Sequence, residues 1–251
     1  MTSKSPFVLV HGAWHGGWCW KYVVPLLEKE GHRVFTPTLT GLGERAHLRE
    51  PMPSLETHIL DLVGVLESEE LSGVTLVGHS WGGMIITALA DRMKLRISNL
   101  VYLDAAVPAD GADFAAHIPG IEREAAERRR AAFRKLSPDG LWLPVMGPEA
   151  VGVTAQQDAD WLRRRMTPHP LRTWLDPVRF ANGGHSGIRK TYVLATQPLT
   201  TMMGYPAQGE VAKRGGEWSY REISTGHTMM VTEPTQTANL LLEAARAGAL
   251  A

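Results

Sequence analysis

Short apolar segments rich in β-branched residues alternate with segments of helical spacing along the first hundred residues of the chain. Apolar runs that end at glycine are typical of buried strands, and apolar residues three and four apart are typical of helices. Such an alternation with compact connections indicates an α/β fold, in which a mostly parallel sheet is flanked by helices. The predicted strands lie at 7–11, 33–36, 74–77 and 100–103, and the predicted helices at 20–29, 54–66 and 84–94.

The alternation is interrupted between residues 108 and 189, where no convincing strand occurs and prolines separate two charged segments of helical spacing. It then resumes with two strands and a last helix. We interpret the interruption as a helical cap inserted before the penultimate strand, over the carboxyl edge of the sheet, where open α/β folds place their sites. The predicted division is a core of residues 1–107 and 190–251 and a cap of residues 108–189. The predicted elements after residue 108 are helices at 122–136, 155–166 and 234–247 and strands at 191–195 and 218–223.

Composition excludes several classes of protein but indicates no chemistry. The 251 residues contain 26 Lys and Arg against 26 Asp and Glu, so the basic excess of a nucleic-acid-binding protein is missing. No apolar run reaches the roughly 18 residues of a membrane span, and the single Cys19 cannot form an intrachain disulfide. We expect a cytoplasmic protein without nucleic-acid or membrane partners, and the oligomeric state stays open.

Residues Gly78 to Gly82 match the pattern Gly-X-Ser-X-Gly, with Ser80 at its centre. An apolar strand leads into the pattern and a helix leads out of it, which is the context of a nucleophile elbow. Such a turn places the serine hydroxyl at a helix N-terminus, where the helix dipole favours a developing anion. We predict Ser80 to be a nucleophile, with an ordinary serine in a glycine-rich turn as the alternative.

A serine hydroxyl is a weak nucleophile and needs a base. His227 follows the 218–223 strand and precedes the last helix, so in this topology its loop lies at the same edge as Ser80. His11 and His15 have the spacing of a metal-binding pair on a helix, but the glycines around them favour a loop. We therefore predict His227 as the base, with no metal and no cofactor.

The acid that orients the base is expected at the end of a neighbouring strand. The strand at 191–195 is followed by no carboxylate, and Glu210 and Glu217 come later, in a segment predicted to be an exposed loop. Asp104 ends the strand next to the one that leads to Ser80. Because the role of the acid is geometric and is not tied to one sequence position, we predict Asp104 as the third member of the triad. An aspartate that caps the following turn is the alternative.

The remaining site predictions concern the oxyanion hole and the substrate pocket. Two backbone N–H groups are needed to bind an oxyanion, and those of Trp81, directly after Ser80, and Ala13, after the first strand, are the candidates. Trp14, Met203 and Met229 lie in segments predicted to adjoin the site. These three side chains are therefore predicted to line an apolar pocket, with packing in the core as the equal alternative for the two methionines.

These motifs together resemble the α/β-hydrolase superfamily. The resemblance rests on the segment from Phe7 to Trp20, which contains His-Gly-Ala-Trp-His-Gly-Gly, on Gly78-His-Ser-Trp-Gly-Gly-Met and on Gly226-His227. Within the superfamily the chain is similar to the branch of EstC-type esterases, plant methyl esterases and hydroxynitrile lyases. The resemblance implies Ser80 and His227 as nucleophile and base, and Ala13 and Trp81 as oxyanion donors.

Departures from the lyase pattern narrow the activity that the resemblance implies. The lyases have a threonine where this chain has Gly12 and a lysine where it has Thr228, which argues against cyanohydrin cleavage. Residues 38–48 also look like those of bacterial relatives that hydrolyse carbamates such as benzimidazole methyl carbamates. The leading hypothesis is a serine esterase that cleaves a small or medium carboxylic ester through an acyl-enzyme intermediate.

Three alternatives to the ester hydrolase stay open at this point. The same triad would serve a carbamate or amide hydrolase. Some cofactor-free dioxygenases of heterocyclic substrates share the fold and the serine and histidine that the resemblance implies. In them the histidine acts as a base toward the substrate and the serine only forms a hydrogen bond. Related folds also serve as ligand receptors, which bind a small molecule without converting it.

Overall fold

The computed structural model describes residues 4–198 and 203–248. The strands in these residues are β1 (Phe7–Val10), β2 (Val34–Phe35), β3 (Val74–His79), β4 (Ile97–Leu103), β5 (Trp142–Leu143), β6 (His169–Pro170), β7 (Arg189–Ala195) and β8 (Trp218–Ile223). Six of them form one parallel sheet in the order β2-β1-β3-β4-β7-β8, and β5 and β6 form a separate antiparallel pair. The predicted mostly parallel sheet is confirmed.

Helices connect the strands of the main sheet. They are α1 (Val24–Lys29), α2 (Leu55–Ser68), α3 (Gly82–Arg92), α4 (Arg123–Leu136), α5 (Gln156–Arg163), α6 (Arg172–Leu175), α7 (Tyr205–Lys213), α8 (Met229–Thr232) and α9 (Pro234–Gly248). Short 3₁₀ helices lie at Gly17–Trp20, Gly43–Arg45, Lys94–Arg96 and Pro148–Val151. In residues 4–198 and 203–248, no helix is both long and apolar enough to cross a lipid bilayer.

The central strands are apolar on both faces because helices cover both sides of the sheet. All four residues of β1 are fully buried. Val8 and Val10 pack in one apolar cluster, whereas Phe7 and Leu9 pack in the other. This division follows from the pleat, since successive side chains of a strand point to opposite faces.

The predicted start of α2 is confirmed by its hydrogen bonds. The Ser54 hydroxyl accepts from the backbone N–H of Thr57, and the Thr57 hydroxyl accepts from the N–H of Ser54, which is a complete capping box. Pro25 lies in the first turn of α1, where its missing N–H leaves no helical hydrogen bond unmade. The helix predicted at 20–29 therefore begins at Val24.

Several short elements differ from the sequence prediction, since α6 and α8 were not predicted and three further elements have a clear physical reason. The β5–β6 pair lies within 108–189, where no strand was predicted, because two-residue strands carry no periodicity that a sequence pattern can reveal. Helix α7 includes Glu210, which was predicted to lie in an exposed loop. Its buried face consists of Tyr205, Gln208, Gly209 and Ala212, a set too polar and too small to give an apolar helical signal.

Residues 108–189 share their apolar core with the main sheet. Phe114 and Trp174 pack in the cluster that contains Val8, and Val153 and Trp161 pack in the cluster that contains Phe7. The segment thus buries its apolar side chains against residues of the strands and helices on either side of it in the chain.

Buried histidines make the stability of the fold sensitive to acid. Burial lowers the pKa of His11 to about 3 and the pKa values of His15, His58 and His117 to about 4. An unfolded histidine titrates near 6.5, so below that pH the unfolded chain binds more protons than the folded protein does. We expect the free energy of unfolding to fall between pH 6.5 and pH 4, by up to about 1.4 kcal/mol per pH unit for each such histidine. Denaturant unfolding at pH 7, 6 and 5 measures this slope.

Two substitutions test the source of that slope. His58→Gln removes one buried imidazole. It should reduce the slope of the free energy of unfolding against pH by up to about 1.4 kcal/mol per pH unit, the contribution of one proton. His47→Gln, at an exposed position, is the control variant whose slope is compared with that of His58→Gln. A free energy of unfolding that does not change between pH 7 and pH 5 would contradict this prediction.

Candidate active site

Ser80 lies in a tight turn between β3 and α3. Its backbone has a positive φ of 56°, which residues other than glycine rarely adopt. This strained conformation is typical of the serine in a nucleophile elbow. Its N–H donates to the carbonyl of Leu103 at the end of β4, and its carbonyl accepts from the N–H of Ala106. The turn is therefore held by the end of the neighbouring strand.

The glycine that follows this turn allows a close approach of two backbones. A Cβ at Gly82 would lie 2.7 Å from the carbonyl oxygen of His11, at the end of β1. Any side chain at this position would push α3 away from β1. The second glycine of the Gly-X-Ser-X-Gly pattern is thus required because this position has no room for a side chain.

Asp104 directly follows β4, and its side chain is fully buried. Its Oδ2 accepts a hydrogen bond from Nδ1 of His227 at 2.6 Å, and its Oδ1 accepts from the N–H of Ala195 at 3.3 Å. Burial raises the pKa of Asp104, and the hydrogen bond from His227 opposes that rise. The structure thus brings Asp104 and His227 together from positions 123 residues apart in the chain.

The two other carboxylates considered from the sequence form ion pairs with lysines. Glu217 accepts from Nζ of Lys190 at 2.6 Å, and Glu210 accepts from Nζ of Lys213 at 2.8 Å. Lys190 is buried, which lowers its pKa, and Glu217 is the partner that favours its charged form. Both glutamates therefore pair with lysines, and Asp104 is the carboxylate that bonds His227.

His227 is held in its loop by contacts on several sides. Its N–H donates to the carbonyl of Val151, and its carbonyl accepts from Nε2 of His79 at 2.9 Å. Its ring lies 4.5 Å from the ring of His79 and stacks on the ring of Tyr205 at 5.2 Å, with an angle of 7° between the planes. The orientation of the imidazole is thus restrained by its neighbours as well as by Asp104.

Tyr205, at the start of α7, belongs to this group but was not identified from the sequence. Its hydroxyl lies 3.1 Å from Oγ of Ser80, and no other hydrogen-bond partner of this Oγ is found in residues 4–198 and 203–248. The one sequence signal is a tyrosine after Gly204, in the segment that follows β7 at the carboxyl edge. That signal is too general to single out Tyr205 without the structure.

The backbone donors predicted for an oxyanion hole flank Ser80. In the described part of the chain, the N–H groups of Ala13 and Trp81 donate to no protein acceptor. A Cβ at Gly12 would lie 2.8 Å from Cβ of Ser80, so the loop after β1 passes directly beside the serine. The carbonyl of Ala13 pairs with Nδ1 of His15 at 2.7 Å, which restrains the Ala13–Trp14 peptide.

A cleft of about 580 Å³, its open mouth included, lies over Ser80, and we call it the Ser80 cleft. Trp14 and Met203 lie in its wall, whereas Met229 does not. Met229 begins α8 and is fully buried in the cluster that contains Phe7, so the prediction that it lines the pocket is corrected. The cleft is lined by Ala13, Trp14, His15, His79, Ser80, Phe114, Met146, Ala150, Val151, Met166, Trp174, Met203, Tyr205 and His227.

The residues that line the Ser80 cleft include no lysine, arginine, aspartate or glutamate. Burial lowers the pKa of His15 to about 4 and the pKa of His79 well below its usual range, so both rings are neutral at pH 7. Within residues 4–198 and 203–248, no three histidine, cysteine or carboxylate side chains form a group suited to a metal ion. The arrangement can therefore supply a nucleophile, an imidazole base and backbone donors to an uncharged molecule.

Comparison with known proteins places this geometry in a family. Residues 7–240 match the model of the alpha/beta hydrolase family. The chain belongs to that family. The predicted superfamily and fold class are thereby confirmed.

Two relatives and one solved structure of this family cover nearly the whole chain. The carbendazim hydrolyzing esterase of Nocardioides sp. (strain SG-4G) is 42% identical over 239 residues, which cover 94% of this chain and 97% of that protein. Methylesterase 3 of Arabidopsis thaliana is 27% identical over 271 residues, covering 96% of each chain. An extracellular alpha/beta-hydrolase from a Paenibacillus species superposes with a TM-score of 0.80 at 24% identity, covering 96% of this chain and 98% of that one. The chain is an esterase-type member of the alpha/beta hydrolase family.

Proposed function

We propose that the enzyme cleaves small or medium carboxylic esters through an acyl-enzyme intermediate, with Ser80, Asp104 and His227 as its triad. Oγ of Ser80 attacks the carbonyl carbon while its proton passes to Nε2 of His227. Asp104 keeps the Nδ1–H of His227 in place and stabilises the imidazolium that forms. His227 then gives the proton to the leaving alcohol, and a water molecule releases the acyl group by the same steps.

The observation that carries this proposal is the 2.6 Å hydrogen bond between Oδ2 of Asp104 and Nδ1 of His227. A buried carboxylate that accepts from Nδ1 leaves Nε2 as the basic nitrogen of the neutral ring. The Ser80 turn lies at the end of the neighbouring strand, and the shared cleft wall includes both Ser80 and His227. Ser80 and His227 thus face the same cleft, and the attack requires the serine hydroxyl, which contacts Tyr205 in this structure, to turn its proton toward His227.

The oxyanion of the tetrahedral intermediate is assigned to the N–H groups of Ala13 and Trp81. Neither group has a protein acceptor among the described residues. Both peptides are buried beside Ser80, where a hydrogen bond to a developing charge is worth more than it is in water. This arrangement supports acyl transfer over simple binding of a ligand.

We assign residues 108–189 to a cap that closes the Ser80 cleft. Phe114, Val151 and Trp174 of this segment lie in the cleft wall. The segment is also tied to the loops that carry the site, since Val151 accepts from the N–H of His227 and Thr167 donates to the carbonyl of Trp14. Substrate selection would therefore depend largely on this segment.

A methyl carbamate is the second candidate substrate. The 42% identical relative is named for hydrolysis of carbendazim, which is a benzimidazole methyl carbamate. The rings of Phe114 and Trp174 lie 4.6 Å apart in the cleft wall and offer apolar faces to a flat aromatic group. The same triad would attack the carbamate carbonyl and release methanol.

The two candidates are separated by a rate panel on the purified protein. We expect a higher kcat/KM for p-nitrophenyl esters than for methyl carbamates of aryl amines, and a much lower one for anilides; a higher kcat/KM for the carbamates would favour the second candidate. Prior treatment with a fluorophosphonate should label Ser80 and abolish every one of these activities together. Turnover of the panel by protein that is fully labelled at Ser80 would contradict the proposed triad.

A further inference from the structure

We propose that Tyr205 is a further catalytic residue of this site, whose hydroxyl donates a hydrogen bond to Oγ of Ser80 while that atom attacks the substrate. The proposal rests on the proposed function, because it concerns the same nucleophile. It starts from the contact of 3.1 Å between the two oxygens, in which the geometry allows either atom to be the donor.

The protonation state of Tyr205 limits what its hydroxyl can do. The side chain is buried, and burial raises the pKa of its phenol, so the hydroxyl keeps its proton at neutral pH. Tyr205 therefore cannot act as the base that deprotonates Ser80. It can donate one hydrogen bond, and Oγ of Ser80 is the acceptor that lies within reach.

The direction of this hydrogen bond follows from what the nucleophile must do. Ser80 has one hydroxyl proton, and that proton has to point toward His227 when the attack begins. If the Ser80 hydroxyl donated its hydrogen bond to Tyr205, its proton would not point toward His227 and could not be transferred to that base during the attack. A bond donated by Tyr205 leaves the serine proton free for His227 and holds Oγ in position while that proton leaves.

The ring of Tyr205 restrains the base at the same time. It lies nearly parallel to the ring of His227, with 5.2 Å between the centroids and 7° between the planes. Asp104 holds Nδ1 of the imidazole from one edge, and the tyrosine covers one of its faces. One side chain therefore contacts both the nucleophile and the base.

The attack step then balances as follows. The bond from Oγ of Ser80 to the carbonyl carbon forms, the Oγ–H bond breaks, and the proton moves to Nε2 of His227. The carbonyl π electrons become the oxyanion held by the backbone donors. Tyr205 keeps its own O–H bond throughout, so the phenol contributes a hydrogen bond and no proton.

Tyr205→Phe isolates this hydroxyl, since phenylalanine retains the ring that stacks on His227. Tyr102→Phe is the matched control, because Tyr102 is equally buried and its hydroxyl bonds Thr87 outside the Ser80 cleft. For Tyr205→Phe we expect kcat to fall about 3- to 10-fold, as for loss of one hydrogen bond between neutral groups. KM should stay within about twofold, and Tyr102→Phe should keep the wild-type kcat.

A second readout separates a catalytic hydroxyl from a structural one. The rate constant for labelling of Ser80 by a fluorophosphonate reports the nucleophile without any turnover, and we expect Tyr205→Phe to lower it by the same factor as kcat. The melting temperature of the variant, measured beside that of Tyr102→Phe, shows that it is folded. Agreement of the two rate factors in a folded variant supports the proposal.

Three outcomes would overturn it. A wild-type labelling rate and a wild-type kcat in Tyr205→Phe would show that the hydroxyl does not act on Ser80. A change in KM alone would show that it contacts the substrate instead. A wild-type protein that is neither labelled at Ser80 nor active on any ester or carbamate would overturn the proposed function, and with it this inference.

Discussion

Ser80→Ala should lower kcat on p-nitrophenyl acetate by about 10⁶, the loss expected when the nucleophile of a serine hydrolase is removed. The substitution deletes the atom that forms the bond to the acyl group. Its hydroxyl has Tyr205 as its one hydrogen-bond partner in the described residues, so the fold should lose little stability. The rate is measured together with fluorophosphonate labelling, which should disappear in the variant.

A matched serine provides the control for this experiment. Ser98, in β4, donates its hydroxyl hydrogen to backbone carbonyls and lies outside the Ser80 cleft. Ser98→Ala should keep the wild-type kcat and the wild-type labelling. Turnover that survives Ser80→Ala would contradict the ester hydrolase. If oxygen were also consumed with a heterocyclic substrate, the cofactor-free dioxygenase would be favoured instead.

Asp104→Asn should lower kcat by about 10³–10⁴ without lowering the stability of the protein. An asparagine amide cannot keep the Nδ1–H tautomer of His227 as the carboxylate does, so Nε2 would lose its role as the base. The stability argument follows from burial, which raises the pKa of Asp104. Above the pKa of an unfolded aspartate the folded protein holds its proton more tightly than the unfolded chain does, so ionisation at neutral pH costs stability. A neutral side chain removes that cost.

The stability and the rate of Asp104→Asn are measured by denaturant unfolding at pH 7 and by steady-state kinetics. Glu217→Gln is the informative comparison, because Glu217 is the ion-pair partner of the buried Lys190. This variant should keep its kcat and lose stability, since it leaves a buried ammonium without its carboxylate. Loss of activity in Glu217→Gln or Glu210→Gln, with a fully active Asp104→Asn, would show that the acid has been assigned wrongly.

The sequence predicted the elements of the main sheet because their signals are local. A buried strand such as β3, a tight turn and an amphipathic helix such as α2 are each contained in a few neighbouring residues. The capping box of Ser54 and Thr57 is a contact between residues three apart. Helix α7 was missed because its buried face is not apolar enough to mark it.

The sequence could identify those residues of the candidate site that directly follow a predicted strand. Ser80, Asp104 and His227 each follow a strand of the main sheet, and parallel strands end at the same edge. Tyr205 and Met229 follow no such rule. Tyr205 reaches Ser80 because α7 packs beside β7 and β8, whereas Met229, at the start of α8, is buried in the cluster that contains Phe7.

The sequence by itself determined the alternation of strands and helices, the strained turn at Ser80 and a short list of candidate partners for that serine. Each of these depends on residues that are close together in the chain. The tertiary structure decided which carboxylate meets His227, which side chain contacts Oγ of Ser80 and which apolar residues line the cleft. Those contacts join residues more than a hundred positions apart, and their distances depend on how the helices and residues 108–189 pack on the sheet.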